Sequence, residues 1–133
     1  MKICVTAMEN NLDANVDPRF GRCKYFLIID TDSMDVNPIL NESMMASGGA
    51  GIQAAQMVAK TGVDTVITGN VGPNAFQTLK AAGIKIITGV DGNIKEVIER
   101  FKNGELTEID SPTVGNHFGM GASSRGFDRG GNL

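Results

Sequence analysis

Three glycine-rich stretches and a pair of arginines are the residues whose types and spacing could do chemistry. The stretches are "SGGAG" (Ser47 to Gly51), "GNVGPN" (Gly69 to Asn74) and "TGVDGN" (Thr88 to Asn93). Each stands directly before a helix-like run. A glycine lets backbone approach another molecule closely, and the first N–H groups of a helix have no partner within it. Such ends attract anions. Arg19 and Arg22 in "VDPRFGRC" would add guanidinium charge, which suits a bulky anion with many acceptor atoms. Glycines that merely permit tight turns are the competing reading. Three such stretches at one edge, with two arginines beside them, weigh against it.

Known nucleotide and catalytic patterns fail one by one. No Gly-Lys-Ser/Thr exists, so there is no P-loop. Gly49, Gly51 and Ala54 match G-x-G-x-x-A, but they follow a third strand instead of opening a first βαβ unit. Asp30, Asp32 and Asp35 cluster in "DTDSMD" and read as solvated turn residues. His117, the single histidine, stands in a glycine-rich tail, where a His-assisted nucleophile would need that tail to order. The residues therefore predict a protein that is not an enzyme.

Soft ligands are sparse. Cys4 alternates inside an apolar strand and reads as core. Arg22 and Lys24 flank Cys23 and would favour its thiolate, making Cys23 a candidate metal ligand, or one half of a pair across a two-fold axis. Met44 and Met45, and the His117/Met120 pair, could offer soft donors to copper, although core or loop packing is the commoner use of methionine.

The elements that must position these residues follow from hydrophobic periodicity. "KICVTA", "YFLIID" and "VNPILN" predict three strands, with "TDSMD" turning the second into the third and Pro38 holding the third at a sheet edge. Helices are expected over "IQAAQMVAK", with Ile52, Ala55 and Ala59 on one face, and over "GPNAFQTLKAAG". A third is marked by Ile94, Val97, Ile98 and Phe101. Strands "VDTVIT" and "IKIIT" separate them. Short connections of this kind demand right-handed crossovers and parallel strands. The expected fold is a three-layer α/β domain with a mixed five-stranded sheet, an antiparallel hairpin at one edge, and three helices. The domain is expected over residues 1–110, followed by a glycine-rich, disordered tail over 111–133.

Bulk composition limits the function classes. The chain has 133 residues, 41% hydrophobic and 20% charged, with a formal charge of -3, two cysteines, no Trp and one Tyr. That balance is ordinary for a soluble domain. It disfavours nucleic acid, which needs a basic face, and no run approaches the roughly 20 apolar residues of a membrane span. Two cysteines make no disulfide framework. A cytoplasmic location, with no signal peptide, is the resulting expectation.

"VDPRFGRCKYFLIID", "SGGAGIQAAQ" and "GVDTVITGNVGPNAFQTLKAAGIKI" closely resemble the dinitrogenase iron–molybdenum cofactor-binding family. That family includes NifX, NafY, the C-terminal part of NifB and small stand-alone archaeal and bacterial proteins. The likeness covers about residues 1 to 105. It implies a ribonuclease H-like sheet topology without the nuclease acids. It also implies non-catalytic carriage of a molybdenum-containing metal–sulfur cluster, iron–molybdenum-cofactor-like or molybdenum–copper sulfide. Cluster-assembly or cluster-accepting proteins are the implied partners of a monomer or homodimer. The rim residues expected to hold the cluster are Arg19, Phe20, Gly21, Arg22, Ser47, Gly48, Gly49, Gly51, Gly69, Asn70, Gly72 and Asn74, with Cys23 or His117 as candidate direct ligands. The sequence departs from its nitrogenase-associated relatives at Arg19, where they tend to carry histidine. Arginine supplies charge and does not ordinarily ligate a metal. A regulatory module for a small anionic ligand, or a surface that docks a partner protein, is the alternative use of the same rim.

Overall fold

The structure, a computed structural model, describes residues 1–113. Its elements in chain order are β1 (Lys2–Ala7), β2 (Tyr25–Asp30), β3 (Val36–Leu40), a short 3-10 helix (Glu42–Met45), α1 (Ala50–Ala59), β4 (Thr65–Ile67), α2 (Pro73–Ala81), β5 (Lys85–Ile87) and α3 (Ile94–Lys102). The sheet order is β3-β2-β1-β4-β5. β1 and β2 pair antiparallel from Lys2–Asp30 to Ala7–Tyr25, and β2 and β3 from Tyr25–Leu40 to Ile29–Val36. β1, β4 and β5 run parallel, with Val5 beside Ile67 and Ile67 beside Ile87. This is the expected mixed five-stranded α/β fold with three helices and its hairpin at one edge.

Strand alternation builds the two faces. Cys4, Phe26, Ile28, Val66 and Ile86 join Ala54, Ala55 and Val58 of α1 and Ala75, Phe76 and Leu79 of α2 in one core cluster. Ile3, Val5, Ala7, Leu27, Ile29, Ile67 and Ile87 turn the other way and pack with Ile94, Val97 and Ile98 of α3. Two helices therefore cover one face and one covers the other.

Helix α1 begins two residues earlier than predicted and is rotated. It buries Ala50, Ala54, Ala55 and Val58, while Ile52 is 36% exposed. The cause is close helix pairing: a Cβ on Gly51 would lie 3.4 Å from that of Ala75 in α2. Small residues are needed on that seam, so the larger Ile52 is left outside. The β2–β3 turn also departs from expectation, since Met34 adopts φ 63 with no glycine to announce it. Asp30 stabilises that turn, its Oδ1 accepting from the N–H groups of Asp32 (2.9 Å) and Ser33 (3.3 Å). These bonds hold its carboxyl below the usual carboxylate range.

Parallel β1, β4 and β5, together with β3, all end at the same edge of the sheet. The loops 8–24, 41–49, 68–72 and 88–93 therefore gather there. Beyond α3 the chain returns along β5, with Ile109 N–H donating to Ile86 O (2.8 Å).

Candidate functional site

Loop 8–24 wedges between the starts of α1 and α2, and glycines make the wedge possible. A Cβ on Gly69 would stand 2.6 Å from Pro18 Cα, and one on Gly21 would stand 3.0 Å from both Cα and N of Gly51. Those distances leave no room for a side chain. Gly21 and Gly69 thus let backbone pack on backbone, a packing role where the sequence suggested cluster-facing rim, while a Cβ on Gly51 would meet Ala75 of α2 at ordinary contact distance. By contrast, a Cβ on Gly48, Gly49 or Gly72 would meet nothing within 4 Å. These three line open space.

The loop is also stitched by a buried polar chain. Thr6 Oγ1 donates to Asp17 O (2.7 Å) and lies 2.8 Å from Thr68 Oγ1, so the ends of β1 and β4 hold the loop together. Asp17 is 3% exposed, and its Oδ1 accepts from the Arg19 N–H (3.0 Å) and sits 3.5 Å from Arg19 Nε. The Arg19 side chain is 55% exposed beyond that contact. Asn70 pairs its backbone with this loop, donating N–H to Pro18 O (2.8 Å) and accepting from Phe20 N–H (3.3 Å), with Nδ2 also reaching Pro18 O at 3.4 Å. Arg19 is thereby fixed beside the β4–α2 loop, and the Asn70 amide is spent on holding it there.

Arg22 has a different task. Its Nη1 donates to Met44 O and Ala46 O, both at 2.7 Å, closing the 3-10 helix just before Ser47. Buried Asn41 clamps from the inside, its Nδ2 donating to Gly21 O (3.1 Å) and Cys23 O (2.9 Å) while its Oδ1 caps Ser43 N–H (3.1 Å). The two residues join loop 19–24 to loop 41–49 and so aim Ser47, Gly48 and Gly49. Met45, at the end of that 3-10 helix, is 83% exposed.

Two of the expected contacts are corrected outright. Phe20 is 2% exposed, with its ring 5.5 Å from that of Phe26, so it is core and not rim. Cys23 is fully buried, and desolvation pushes its thiol far above the usual range, with the charges of Cys4 and Asp17 adding to the rise. Its neighbours in sequence do not reach it, because Arg22 and Lys24 turn to the surface. Burial disfavours a Cys23 thiolate and leaves its sulfur without exposed surface on which to meet a ligand. His117 lies outside the described residues. Among the described residues, no three His, Cys, Asp or Glu side chains gather to hold a metal ion.

What the edge does offer is a double helix N-terminus. α1 starts at Gly49 (φ 73) and α2 at Gly72, neither has a side-chain cap, and neither carries an acidic residue in its first turn. No hydrogen bond within the described residues takes up the N–H groups of Gly48, Gly49, Ala50, Gly51 or Ile52. The two ends abut through Gly51 and Ala75. α3 is unlike them: Asn93 caps its own helix, accepting from Glu96 N–H (3.4 Å), and Glu96 places a negative charge there. The third glycine stretch, Thr88 to Asn93, therefore offers no comparable anion site. Partial positive charge from two helix ends, with Arg19 beside them, favours an anion over the open glycines. Exposed Ser47 and Asn74 flank that bed.

Sequence reasoning missed Thr6, Asp17, Asn41 and Thr68, the polar residues that hold the site's loops. Thr6 and Thr68, in apolar strands, carried no signal. Asn41, directly before "ESMM", is an N-cap residue type and could have been found.

Comparison with known proteins places this geometry among relatives. The family model described as dinitrogenase iron-molybdenum cofactor matches residues 1–104. An uncharacterized protein of Methanocaldococcus jannaschii is 31% identical over 113 residues, covering 83% of this chain and 92% of the relative. The apo form of the orange protein from Desulfovibrio gigas is 42% identical with a TM-score of 0.83, over 85% of this chain and 96% of that one. A Thermotoga protein determined by NMR is 35% identical with a TM-score of 0.74, over 85% of this chain and 97% of that one.

Proposed function

The chain belongs to the dinitrogenase iron–molybdenum cofactor family, and on that premise we propose that it binds and carries an anionic, molybdenum-containing metal–sulfur cluster without catalysing a reaction. The cargo is iron–molybdenum-cofactor-like or a molybdenum–copper sulfide. The observation that carries the reading is the pair of abutting, glycine-started helix N-termini, with Gly48, Gly49 and Gly72 bordering open space and the first N–H groups of α1 left without a hydrogen bond among the described residues. Cluster sulfides are large, soft acceptors of weak hydrogen bonds. Bare backbone at Gly48, Gly49 and Gly72 allows them close approach, and Arg19 supplies full charge. Asp17 orients Arg19, while Arg22 and Asn41 fix the glycine loop from behind. The described donor set fits charge and hydrogen bonding better than direct ligation, and a cargo held that way can be handed on.

An anaerobic titration with tetrathiomolybdate, with and without Cu(I), tests this. Absorbance and metal content are read after desalting, with inorganic phosphate and nucleotides as competitors. A retained charge-transfer band at a fixed metal-to-protein ratio is expected, and competitors should not displace it. No retained metal would overturn the reading, and displacement by nucleotides would point to a small phosphorylated ligand instead.

A further inference from the structure

The loop between β4 and α2 is held on both flanks. On one side Asn70 donates its N–H to Pro18 O (2.8 Å) and its carbonyl accepts from Phe20 N–H (3.3 Å). On the other, the Val71 peptide groups bond only to Thr113 among the described residues. Thr113 N–H donates to Val71 O (3.0 Å), Thr113 Oγ1 accepts from Val71 N–H (2.9 Å), and the hydroxyl reaches Val71 O at 3.3 Å. Val71 is buried in the α1–α2 core cluster. Buried peptide groups need a partner, and this partner stands 42 positions further along the chain.

Thr113 arrives on a strap that crosses the β5 edge of the sheet. β5 is the last strand of the order, and past α3 the chain bridges Glu108 to Ile87 antiparallel, with Ile109 N–H on Ile86 O (2.8 Å). Ile109 packs on the α1–α2 cluster, and Lys80 Nζ of α2 lies 3.5 Å from Glu108 Oε2. The strap is thus fixed to β5 and α2 before it reaches Val71. Thr113 itself is exposed, so its hold on the loop comes from polar contacts more than from packing. The family match ends at residue 104, which leaves the strap outside it.

Val71 O belongs to the peptide whose N–H is that of Gly72. The peptide is planar and trans, so a bond that fixes the carbonyl fixes the direction of that N–H as well. Gly72 N–H takes no hydrogen bond among the described residues, and a Cβ on Gly72 would meet nothing within 4 Å. Glycine has the widest choice of φ and ψ, so its neighbours must set where this bare donor stands. We propose that Thr113 is a positioning residue for the cargo: its hydroxyl and amide hold Val71 and thereby set Gly72 N–H and the start of α2 against the start of α1. This role rests on the carriage of an anionic cluster at the glycine bed, and it acts through the Val71 peptide without contact between Thr113 and the cargo.

The test compares Thr113→Val, which keeps the shape and removes the hydroxyl, with Thr113→Ser, which keeps the hydroxyl. Tetrathiomolybdate affinity, melting temperature and amide hydrogen exchange are read on the full chain. In Thr113→Val the Val71 amide should exchange faster while the amides of β1 keep their protection and the melting temperature holds. Affinity should fall about fivefold, the factor that one neutral hydrogen bond corresponds to. Thr113→Ser should recover both the Val71 protection and the affinity. Parent-like affinity in Thr113→Val would overturn the positioning role, as would an unchanged Val71 amide or a loss of affinity shared by Thr113→Ser. A parent chain that takes up no tetrathiomolybdate would remove the carriage reading itself and this role with it, an outcome distinct from uptake that is indifferent to residue 113.

Discussion

Glycines that look alike in sequence do opposite work at this edge, and single alanines separate them. Gly69→Ala forces a Cβ to 2.6 Å from Pro18 Cα, an overpacking that should cost about 1–3 kcal/mol. Gly72→Ala meets nothing within 4 Å and has an extended φ of −83, so stability should hold while tetrathiomolybdate uptake falls. Chemical denaturation and the desalting assay read the two effects separately. Unchanged uptake in Gly72→Ala would mean that the cargo does not approach this backbone. The thiols form a second case. Burial holds Cys4 and Cys23 protonated, so neither should react with Ellman's reagent at pH 8 until the chain unfolds. Unfolded thiols ionise above about pH 9 while the buried pair does not, so stability should decline as pH rises beyond that value. Rapid labelling of folded protein at pH 8 would contradict the buried assignment.

At the scale of elements, periodicity made the strands, the helices and their edge legible, because burial of one face dictates both patterns. It failed where packing depends on a partner element. The seam between Gly51 and Ala75 rotates α1 and leaves Ile52 outside, which no spacing within "IQAAQMVAK" could reveal. The candidate site was legible as a set of loops and not as a set of contacts. Arg22 read as a charge for the anion, yet its Nη1 closes the 3-10 helix through Met44 O and Ala46 O. Removing Arg22 should therefore lower the melting temperature, the lost stability staying below the roughly 1.5–3 kcal/mol that a hydrogen bond to a charged group contributes because the side chain is exposed. Arg19→Ala should leave the melting temperature nearly unchanged and weaken uptake. A melting temperature unmoved in Arg22→Ala would disprove the clamp. The β2–β3 turn offers a pH-dependent counterpart. Asp30 has a depressed carboxyl pKa through its bonds to Asp32 and Ser33, so its contribution is present above the ordinary carboxylate range and is lost as pH falls through the depressed value. Asp30→Ala should be less stable than the parent at pH 7, and the gap should close in acid.

For the molecule as a whole, carriage requires that holding cargo and staying folded be separable. The two core clusters occupy opposite faces of the sheet, and Ser47, Gly48, Gly49 and Gly72 belong to neither. Leu27→Ala, at a fully buried position of β2, should cost about 2–5 kcal/mol while folded protein still takes up tetrathiomolybdate at full ratio. A cargo that binds only the folded chain adds about 2.7 kcal/mol when present at a hundredfold excess over its dissociation constant. That increment should appear in the parent and in Leu27→Ala alike, and vanish in Gly72→Ala, when denaturation is compared with and without the ligand. Loss of the increment in Leu27→Ala would show instead that site and core melt as one unit. A bed built from the starts of two helices that sit on the core argues against that outcome: the helices are anchored below by Ala54, Val58, Phe76 and Leu79, and only their first turns border the open glycines.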